Sequence, residues 1–180
     1  IDKNEGHGVG FQILNNQSFD EEEINNVLRV LNLRRAVYGD GVVALDCGAN
    51  IGVHTIEWAR HMFNWGNVFS FEPQEKIYYA LAGNITLNNC FNVKAFNVAL
   101  GDQNAIIKIP KLNYFKSSSF GSLELERKKN NEYIGQKINY QHTSENNMIT
   151  IDSLYLDRVD LIKIDVEGMA KKVLKKKKKI

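Results

Sequence analysis

The chain has 180 residues, of which 43% are hydrophobic and 24% charged, and these values predict one globular domain with a single core. Its net charge is +2, but residues 171–180 hold seven of the 23 basic residues and no acid. The rest of the chain therefore has 16 basic and 21 acidic residues and is mildly acidic. A mildly acidic body argues against a nucleic-acid surface, and no apolar run approaches the roughly 18 residues that a membrane span requires.

The first predicted element is a helix over residues 18–35. Ser18 or Asp20 can cap its start, and three glutamates at 21–23 suit the positive end of the helix dipole. Four apolar residues then recur at helical spacing and form one face, namely Ile24, Val27, Leu28 and Leu31. Residues 1–41 are therefore predicted to be an N-terminal segment with a helix, followed by the main domain, residues 42–180.

From residue 42 onward, short apolar runs alternate with helical patterns. Strands are predicted at 42–47, 67–72, 93–100 and 105–109, with a last one inside 160–168, and helices at 54–63 and 75–89. Strands that alternate with helices of about 10–15 residues predict an α/β fold, with a mostly parallel sheet and helices on both faces.

Residues 110–147 fit neither pattern, because they are rich in Ser, Asn, Lys and Tyr. A segment of this length without its own secondary structure is uncommon in a compact domain and is usually functional or disordered. We interpret it as a lid or a ligand-binding insert, with one short strand at 122–127.

The loop between the first predicted strand and its helix carries Gly48, Asn50 and Gly52, and the acid Asp46 precedes it. Ligands bind beyond the carboxyl ends of parallel strands, where glycines allow a tight turn and a close approach. The next strand ends in Glu72, 20 residues after Gly52, where a carboxylate can accept hydrogen bonds from both hydroxyls of a ribose. This arrangement predicts a nucleoside-containing ligand.

The same loop distinguishes between two kinds of nucleoside ligand. A dinucleotide site usually has the pattern Gly-x-Gly-x-x-Gly, but Asn50 takes the place of the second glycine here. Asp46 would also repel a pyrophosphate, whereas its charge suits the ammonium and sulfonium of S-adenosylmethionine. The pattern therefore favours S-adenosylmethionine as the cofactor over NAD.

Five segments resemble, in order, the successive motifs of the FkbM family of S-adenosylmethionine-dependent methyltransferases. They are LDCGANIGVHT, FSFEPQ, NVALGD, TIDSL and DLIKIDVEGM, and together they run from about residue 42 to residue 169. The resemblance implies the Rossmann-like class I methyltransferase fold. It also implies methyl transfer, mostly to hydroxyl oxygens, with a small-molecule or glycan acceptor.

The motif match implies roles for individual residues. The amino-acid part of the cofactor would be surrounded by Asp46, Gly48, Asn50 and Gly52, its ribose held by Glu72, and its adenine flanked by Asn97, Val98 and Ala99. Asp165 would face the methyl group and the acceptor together with Glu167, and it is the first candidate for a general base. Two acids are few ligands for a divalent metal, so no metal is expected.

Two departures from the family pattern leave other functions open. Ala170 stands where the family commonly has an acid, and a lysine-rich end replaces a helix and the family's last strands. The main hypothesis is an O-methyltransferase. The alternatives are a non-catalytic module that binds the cofactor and, disfavoured by Asp46 and Asn50, an NAD-dependent oxidoreductase.

Other features carry weaker expectations. Cys47 and Cys90 have neither metal-ligand spacing nor a disulfide framework, and the first ten residues lack a secretion-signal pattern, which predicts a cytoplasmic protein. His54 is expected on the surface of its helix, with contact to the cofactor as the alternative. His142 is expected to be a bystander, with a role as base as the alternative. The lysine-rich end is expected to be solvated, with an anionic partner as the alternative.

Overall fold

The computed structural model describes residues 9–16, 20–125 and 131–174. Within these ranges the helices are α1 (Val9–Asn16), α2 (Glu21–Tyr38), α3 (Val53–His61), α4 (Glu75–Leu87) and α5 (Ala170–Val173). The strands are β1 (Val42–Cys47), β2 (Gly66–Phe71), β3 (Val93–Phe96), β4 (Ala99–Leu100), β5 (Ala105–Pro110), β6 (Thr143–Ile149) and β7 (Leu161–Ile164). Two short 3-10 helices cover Phe120–Ser122 and Ile151–Leu154.

The central sheet has four parallel strands in the order β3-β2-β1-β7. β1 lies inside this sheet and is buried along most of its length, which explains its nearly continuous apolar sequence. Cys47 at its end is opposite Phe71 of β2 on one side and Ile164 of β7 on the other. The three strands therefore end level with one another, and the segments that follow them open at one edge of the sheet.

One face of the central sheet is covered by α2 and α3. Val42 and Ala44 of β1 pack there against Leu31 of α2, Trp58 of α3 and Met62 at the end of α3, and all five side chains are fully buried. Burying a large apolar side chain contributes about 1.5–3 kcal/mol relative to leaving it exposed. This packing fixes α3, and with it the loop between β1 and α3.

The opposite face of the central sheet carries Leu45 and Cys47 of β1 and Phe71 of β2. These residues pack with Leu100 of β4 and Val173 of α5. The predicted α/β class, with a parallel sheet and helices on both faces, is confirmed. On this second face, however, α5 shares the cover with a second sheet that the sequence pattern does not predict.

The second sheet has three strands in the order β4-β6-β5. β4 runs parallel to β6, whereas β5 is antiparallel to it. The predicted strand at 93–100 is divided at Asn97 and Val98, and its two halves, β3 and β4, join different sheets. The pattern fails to predict β6 because only Met148 among its seven residues is buried.

Residues 111–142, here called the insert, connect β5 to β6. Their described parts form a small core in which Leu112, Leu123 and Ile134 pack with Ile109 of β5. The predicted strand at 122–127 is wrong for residues 122–125, because Ser122 ends a 3-10 helix and no strand follows it there; residues 126–127 lie outside the described part. The described insert is thus packed against itself rather than extended.

The start of α2 differs from the prediction. Asp20 occupies the N-cap position with a φ of 48°, but within the described residues its side chain makes no capping hydrogen bond. Ser18, the alternative cap, lies outside the described residues, as do residues 175–180 of the lysine-rich end. Of the helices in the described ranges, none has the length and apolar character needed to cross a bilayer.

Candidate functional site

Three segments meet at the carboxyl edge of the central sheet. Gly48 follows β1, Glu72 follows β2 and Asp165 follows β7, so the strand register aligns them along one rim. They border a cleft, and the predicted site residues on its lining are Gly48, Asn50, Glu72, Val98, Ala99, Asp165 and Glu167. Three other predicted residues do not line it, namely Asp46, Gly52 and Asn97.

The two glycines of the loop are required by their backbone conformation and by close packing around them. Gly48 and Gly52 have φ values of +85° and +94°, which other residues rarely adopt. A Cβ on Gly48 would collide with the backbone carbonyl of Asp165, and a Cβ on Gly52 would lie 2.6 Å from Cδ1 of Leu81. Gly48 thus lets β1 and β7 close on each other at the cleft, whereas Gly52 allows α3 to approach α4.

Asn50 links this loop to two other parts of the site. Its backbone has a φ of 50°, a left-handed conformation that asparagine adopts more readily than most residues. Its backbone N–H donates to Oε2 of Glu72 at 3.1 Å. Its side-chain amide lies against Gly121 of the insert, where a Cβ would collide with Nδ2.

Glu72 is a buried carboxylate at the base of the cleft. It is 4% exposed, and it accepts hydrogen bonds from the backbone N–H groups of Asn50 at 3.1 Å and Gln74 at 2.8 Å. Burial raises its pKa from 4.5 to about 7, although the two N–H donors oppose this change. Because a carboxylate has about four lone-pair sites, Glu72 can still accept hydrogen bonds from hydroxyl groups of a ligand.

Asp46 lies beneath the loop and is fully buried. Its Oδ2 accepts a hydrogen bond from Oγ1 of Thr55 at 2.7 Å, and its Oδ1 is 3.3 Å from Nζ of Lys163. Asp46 therefore ties β1 to α3 and β7, and it is not part of the cleft lining. Its direct contact with a cofactor stays a prediction.

The connection between β3 and β4 forms another wall of the cleft. Nδ2 of Asn97 donates to the backbone oxygens of Glu72 at 2.8 Å and Pro73 at 3.2 Å, which holds this connection against the end of β2. Val98 and Ala99 then border the cleft beside Glu72. Apolar walls of this kind are common in small-molecule sites and suit a flat nucleobase.

Two acids follow β7. The side chain of Asp165 is 67% exposed, and its Oδ2 is 3.8 Å from Nζ of Lys163. Met169 takes the N-cap position of α5, and the described residues provide no side-chain cap there, so Asp165 does not cap this helix. Glu167 is half-buried on the same cleft lining.

Gln74 is a cleft residue that the sequence analysis does not identify. It is buried, and its Nε2 donates to the backbone oxygen of Phe120 in the insert at 2.8 Å. Its Oε1 is also buried and has no hydrogen-bond partner in the part of the chain that the structure describes. The sequence feature that could have identified Gln74 is its position two residues after Glu72, on the segment that follows β2.

A second cavity, here called the polar cavity, lies on the other side of the β1 loop. It shares Gly48, Asn50 and Asp165 with the cleft, and its further polar lining comprises Asp20, Glu23, His54 and Lys163. His54 is 7% exposed, so its expected place on the helix surface is wrong. Burial, and then the charge of Lys163, lower the pKa of His54. His142 is exposed in the turn before β6 and lines neither cavity.

A parallel sheet with a glycine loop after β1, a buried acid after β2 and a cleft across the strand ends defines a Rossmann-like protein. Residues 46–180 match the family model of the Methyltransferase FkbM domain. The chain belongs to this family, which confirms the family predicted from the five motifs.

The individual relatives share only a low sequence identity with this chain. Methyltransferase 1 of Beauveria bassiana (strain ARSEF 2860) is 25% identical over 152 residues, which cover 78% of this chain and 60% of that protein. The chain therefore spans less than two thirds of the length of this curated relative.

Solved structures of methyltransferases also show some similarity. The FkbM methyltransferase of Methylobacillus flagellatus KT is 16% identical with a TM-score of 0.49, and the match covers 75% of this chain and 28% of that chain. A SAM-dependent O-methyltransferase of Thermotoga maritima is 14% identical with a TM-score of 0.38, covering 56% and 49%.

Proposed function

We propose that this chain uses S-adenosylmethionine as methyl donor and transfers the methyl group to a hydroxyl oxygen of a sugar or small metabolite. Its membership of the FkbM methyltransferase domain family supports methyl transfer. The observation that carries the choice of donor is the cleft itself, in which a buried carboxylate, an apolar wall and an exposed carboxylate surround one opening. A ribose, a nucleobase and a reacting centre need these three kinds of surface.

The cleft residues carry the kinds of contact that an adenosyl group needs, but the space between them is about 60 Å³, so the cleft has to open for an adenosyl group to enter. Glu72 keeps lone pairs for ribose hydroxyls beyond its two backbone donors. Oε1 of Gln74 is a buried acceptor without a partner among the described residues, and such a group gains free energy when a ligand donor reaches it. Val98 and Ala99 supply the apolar contact beside these polar groups.

The insert is the proposed lid over this cleft. Gly121, Leu123 and Leu125 border the cleft, so the insert lies against the residues proposed to hold the adenosyl group. It is held there by the hydrogen bond from Gln74 to Phe120 and by the close contact between Gly121 and Asn50. Leu125 also packs against Ala99, Met148 and Met169, so opening the lid would break this packing together with the two contacts at Phe120 and Gly121.

The chemistry follows from the placement of Asp165. S-adenosylmethionine supplies the methyl group on a sulfonium whose sulfur leaves readily as a neutral thioether. The chain must therefore mainly align the acceptor oxygen with this methyl group, and such alignment can lower the barrier by roughly 7–11 kcal/mol. Asp165 is the proposed general base because its exposed carboxylate lies on the cleft rim. A positioned base contributes about 10²–10⁴-fold in rate. Glu167, on the same lining, is the second candidate.

Two measurements test the proposal. Calorimetric titration should give saturable binding of S-adenosylhomocysteine and little binding of NAD; tight NAD binding with no response to the adenosyl compound would contradict it. Incubation with methyl-labelled S-adenosylmethionine and pools of glycans and metabolites should then label an acceptor. Cofactor binding without transfer to any pool would favour the non-catalytic module.

A further inference from the structure

Beneath the β1 loop, three buried polar side chains lead to Lys163 of β7. The hydroxyl of Thr55 donates its one proton to Oδ2 of Asp46 at 2.7 Å, so it accepts from Oγ of Ser70, which is also at 2.7 Å. Oδ1 of Asp46 is 3.3 Å from Nζ of Lys163. Ser70, Thr55 and Asp46 are fully buried, and the side chain of Lys163 is 14% exposed. The series joins β2, α3, β1 and β7 just below the rim of the cleft.

Stability alone does not account for the ion pair between Asp46 and Lys163. Taking two charges out of water is costly, and apolar residues of similar volume often stabilise a fold equally well. The pair does, however, hold the ammonium of Lys163 in one place, because Asp46 is itself held by Thr55. The result is a positive charge in a defined position below the cleft rim.

Lys163 also contacts the carboxylate that is proposed to act as base. Its Nζ lies 3.8 Å from Oδ2 of Asp165, and within the described residues that carboxylate has no other ion pair or hydrogen bond. Ion pairs at the surface usually contribute little, partly because two flexible side chains have to be ordered. Here Asp46 already orders Lys163 and the side chain of Asp165 is short, so the contact costs little conformational entropy.

We infer that Lys163 is the positioning residue for the general base Asp165. Contact at Oδ2 leaves Oδ1 to take the proton of the acceptor hydroxyl. As that O–H bond breaks, the acceptor oxygen forms a bond to the methyl carbon, and the electron pair of the carbon–sulfur bond passes to sulfur. This inference rests on the proposed function, in which Asp165 is the base.

The physical reason is the short reach of a proton transfer. A general base has to lie within hydrogen-bond distance of the proton that it takes. Without the ammonium of Lys163, the exposed carboxylate of Asp165 could turn away from the cleft. A misplacement of about 1 Å can cost about 10²-fold in rate, so the loss of Lys163 should reduce turnover although Lys163 takes no proton itself.

The test removes the ammonium and keeps the approximate shape of the side chain. The first variant is Lys163→Met in the whole 180-residue chain. Because it leaves the buried carboxylate of Asp46 without its counter-ion, the second variant combines Lys163→Met with Asp46→Asn and has no unpaired charge at this place. The matched control is Lys94→Met, which removes an equal charge from β3 of the same sheet. Lys94 is exposed and lines neither the cleft nor the polar cavity.

Two quantities are compared among these proteins. They are the affinity for S-adenosylhomocysteine by calorimetry, and the rate of methyl transfer at saturating methyl-labelled S-adenosylmethionine to the glycan or metabolite pool that the wild type labels. We expect both Lys163 variants to lose about ten- to a hundredfold in rate, and Lys163→Met to keep its affinity nearly unchanged. Lys94→Met should change neither quantity. In an Asp165→Asn background, Lys163→Met should reduce the rate little further, because the two residues act as a unit.

Three results would overturn the inference. A full additional loss in the Asp165→Asn background would show that Lys163 acts independently of Asp165. An unchanged rate in both Lys163 variants would show that the base does not depend on the ammonium. Weaker binding of S-adenosylhomocysteine by Lys163→Met with an unchanged rate would make Lys163 a donor-binding residue. A wild-type chain that transfers no methyl group to any pool would reject the proposed function and this inference with it.

Discussion

The backbone N–H of Asn50 donates to the carboxylate of Glu72 at 3.1 Å, so the loop after β1 and the acid after β2 form one hydrogen-bonded unit. The same asparagine contacts Gly121 through its side chain. A ligand hydroxyl that donates to Glu72 would therefore contact the carboxylate that holds the loop in place. Through Asn50, its binding would also affect the position of the insert that borders the cleft.

Glu72→Ala should lower both stability and cofactor affinity. The change leaves the buried N–H group of Gln74 and the partly buried N–H group of Asn50 without their acceptor, and an unpaired buried group costs about 1–3 kcal/mol. We expect the free energy of unfolding to fall by roughly 2–5 kcal/mol in urea denaturation, and S-adenosylhomocysteine to bind at least about tenfold more weakly. An unchanged dissociation constant in a folded variant would remove Glu72 from the site.

Glu72 should also make stability depend on pH. Its pKa in the folded chain, about 7, lies above its ordinary value of 4.5, so the folded state binds this proton more tightly than the unfolded state. Its contribution is fully present below about pH 4.5 and is lost as the pH rises through about 7, a loss of roughly 3 kcal/mol. Urea denaturation at about pH 5 and pH 8 should show a larger fall for wild type than for Glu72→Gln. Equal falls in the two proteins would show that Glu72 titrates normally.

Gly121→Ala should loosen the insert from the cleft. The new Cβ would collide with Nδ2 of Asn50, so either the side chain of Asn50 or the turn at Phe120–Ser122 has to move, and both movements break the contact between them. We expect faster amide hydrogen exchange in residues 113–125 and unchanged exchange in β1 and β2. Gly83→Ala is the control, because a Cβ there meets no atom within 4 Å. Unchanged exchange in 113–125 would show that this contact does not hold the insert.

Asp165→Asn should separate catalysis from binding. The side chain is 67% exposed and does not cap α5, so the substitution should leave the melting temperature nearly unchanged. S-adenosylhomocysteine should bind with similar affinity, whereas turnover with a working acceptor should fall by about 10²–10⁴-fold. Turnover near the wild-type rate would exclude Asp165 as the base and transfer that role to Glu167, for which Glu167→Gln is the corresponding test.

The sequence pattern was sufficient where one physical rule governs a segment. The sequence predicts the first strand at 42–47 to the residue, because a strand buried on both faces is almost continuously apolar. Gly48, Glu72 and Asp165 were placed on one rim because the register of parallel strands brings their carboxyl ends together.

The same reasoning fails where contacts between distant segments determine whether a residue is buried or a strand forms. Thr143–Ile149 forms β6 through pairing with β4 and β5, although its sequence is mostly polar. His54 is predicted to lie on the surface of its helix because the approach of α2 to α3 cannot be read from local periodicity. Gln74 ends the FSFEPQ motif, but the motif match assigns it no role, and its place in the site depends on its contact with the distant backbone oxygen of Phe120.

The insert begins and ends at one place. Pro110 pairs with Thr143 across β5 and β6, and the N–H of Lys111 donates to the backbone oxygen of His142 at 2.8 Å. A segment closed in this way can change in length at little cost, because each doubling of a flexible loop adds only about 0.6 kcal/mol of closure entropy. The segment can therefore be replaced by one of different length and sequence while the strand pairing at its two ends stays the same. Grafting the corresponding segment of a relative between Pro110 and Thr143 is the equivalent step in the laboratory.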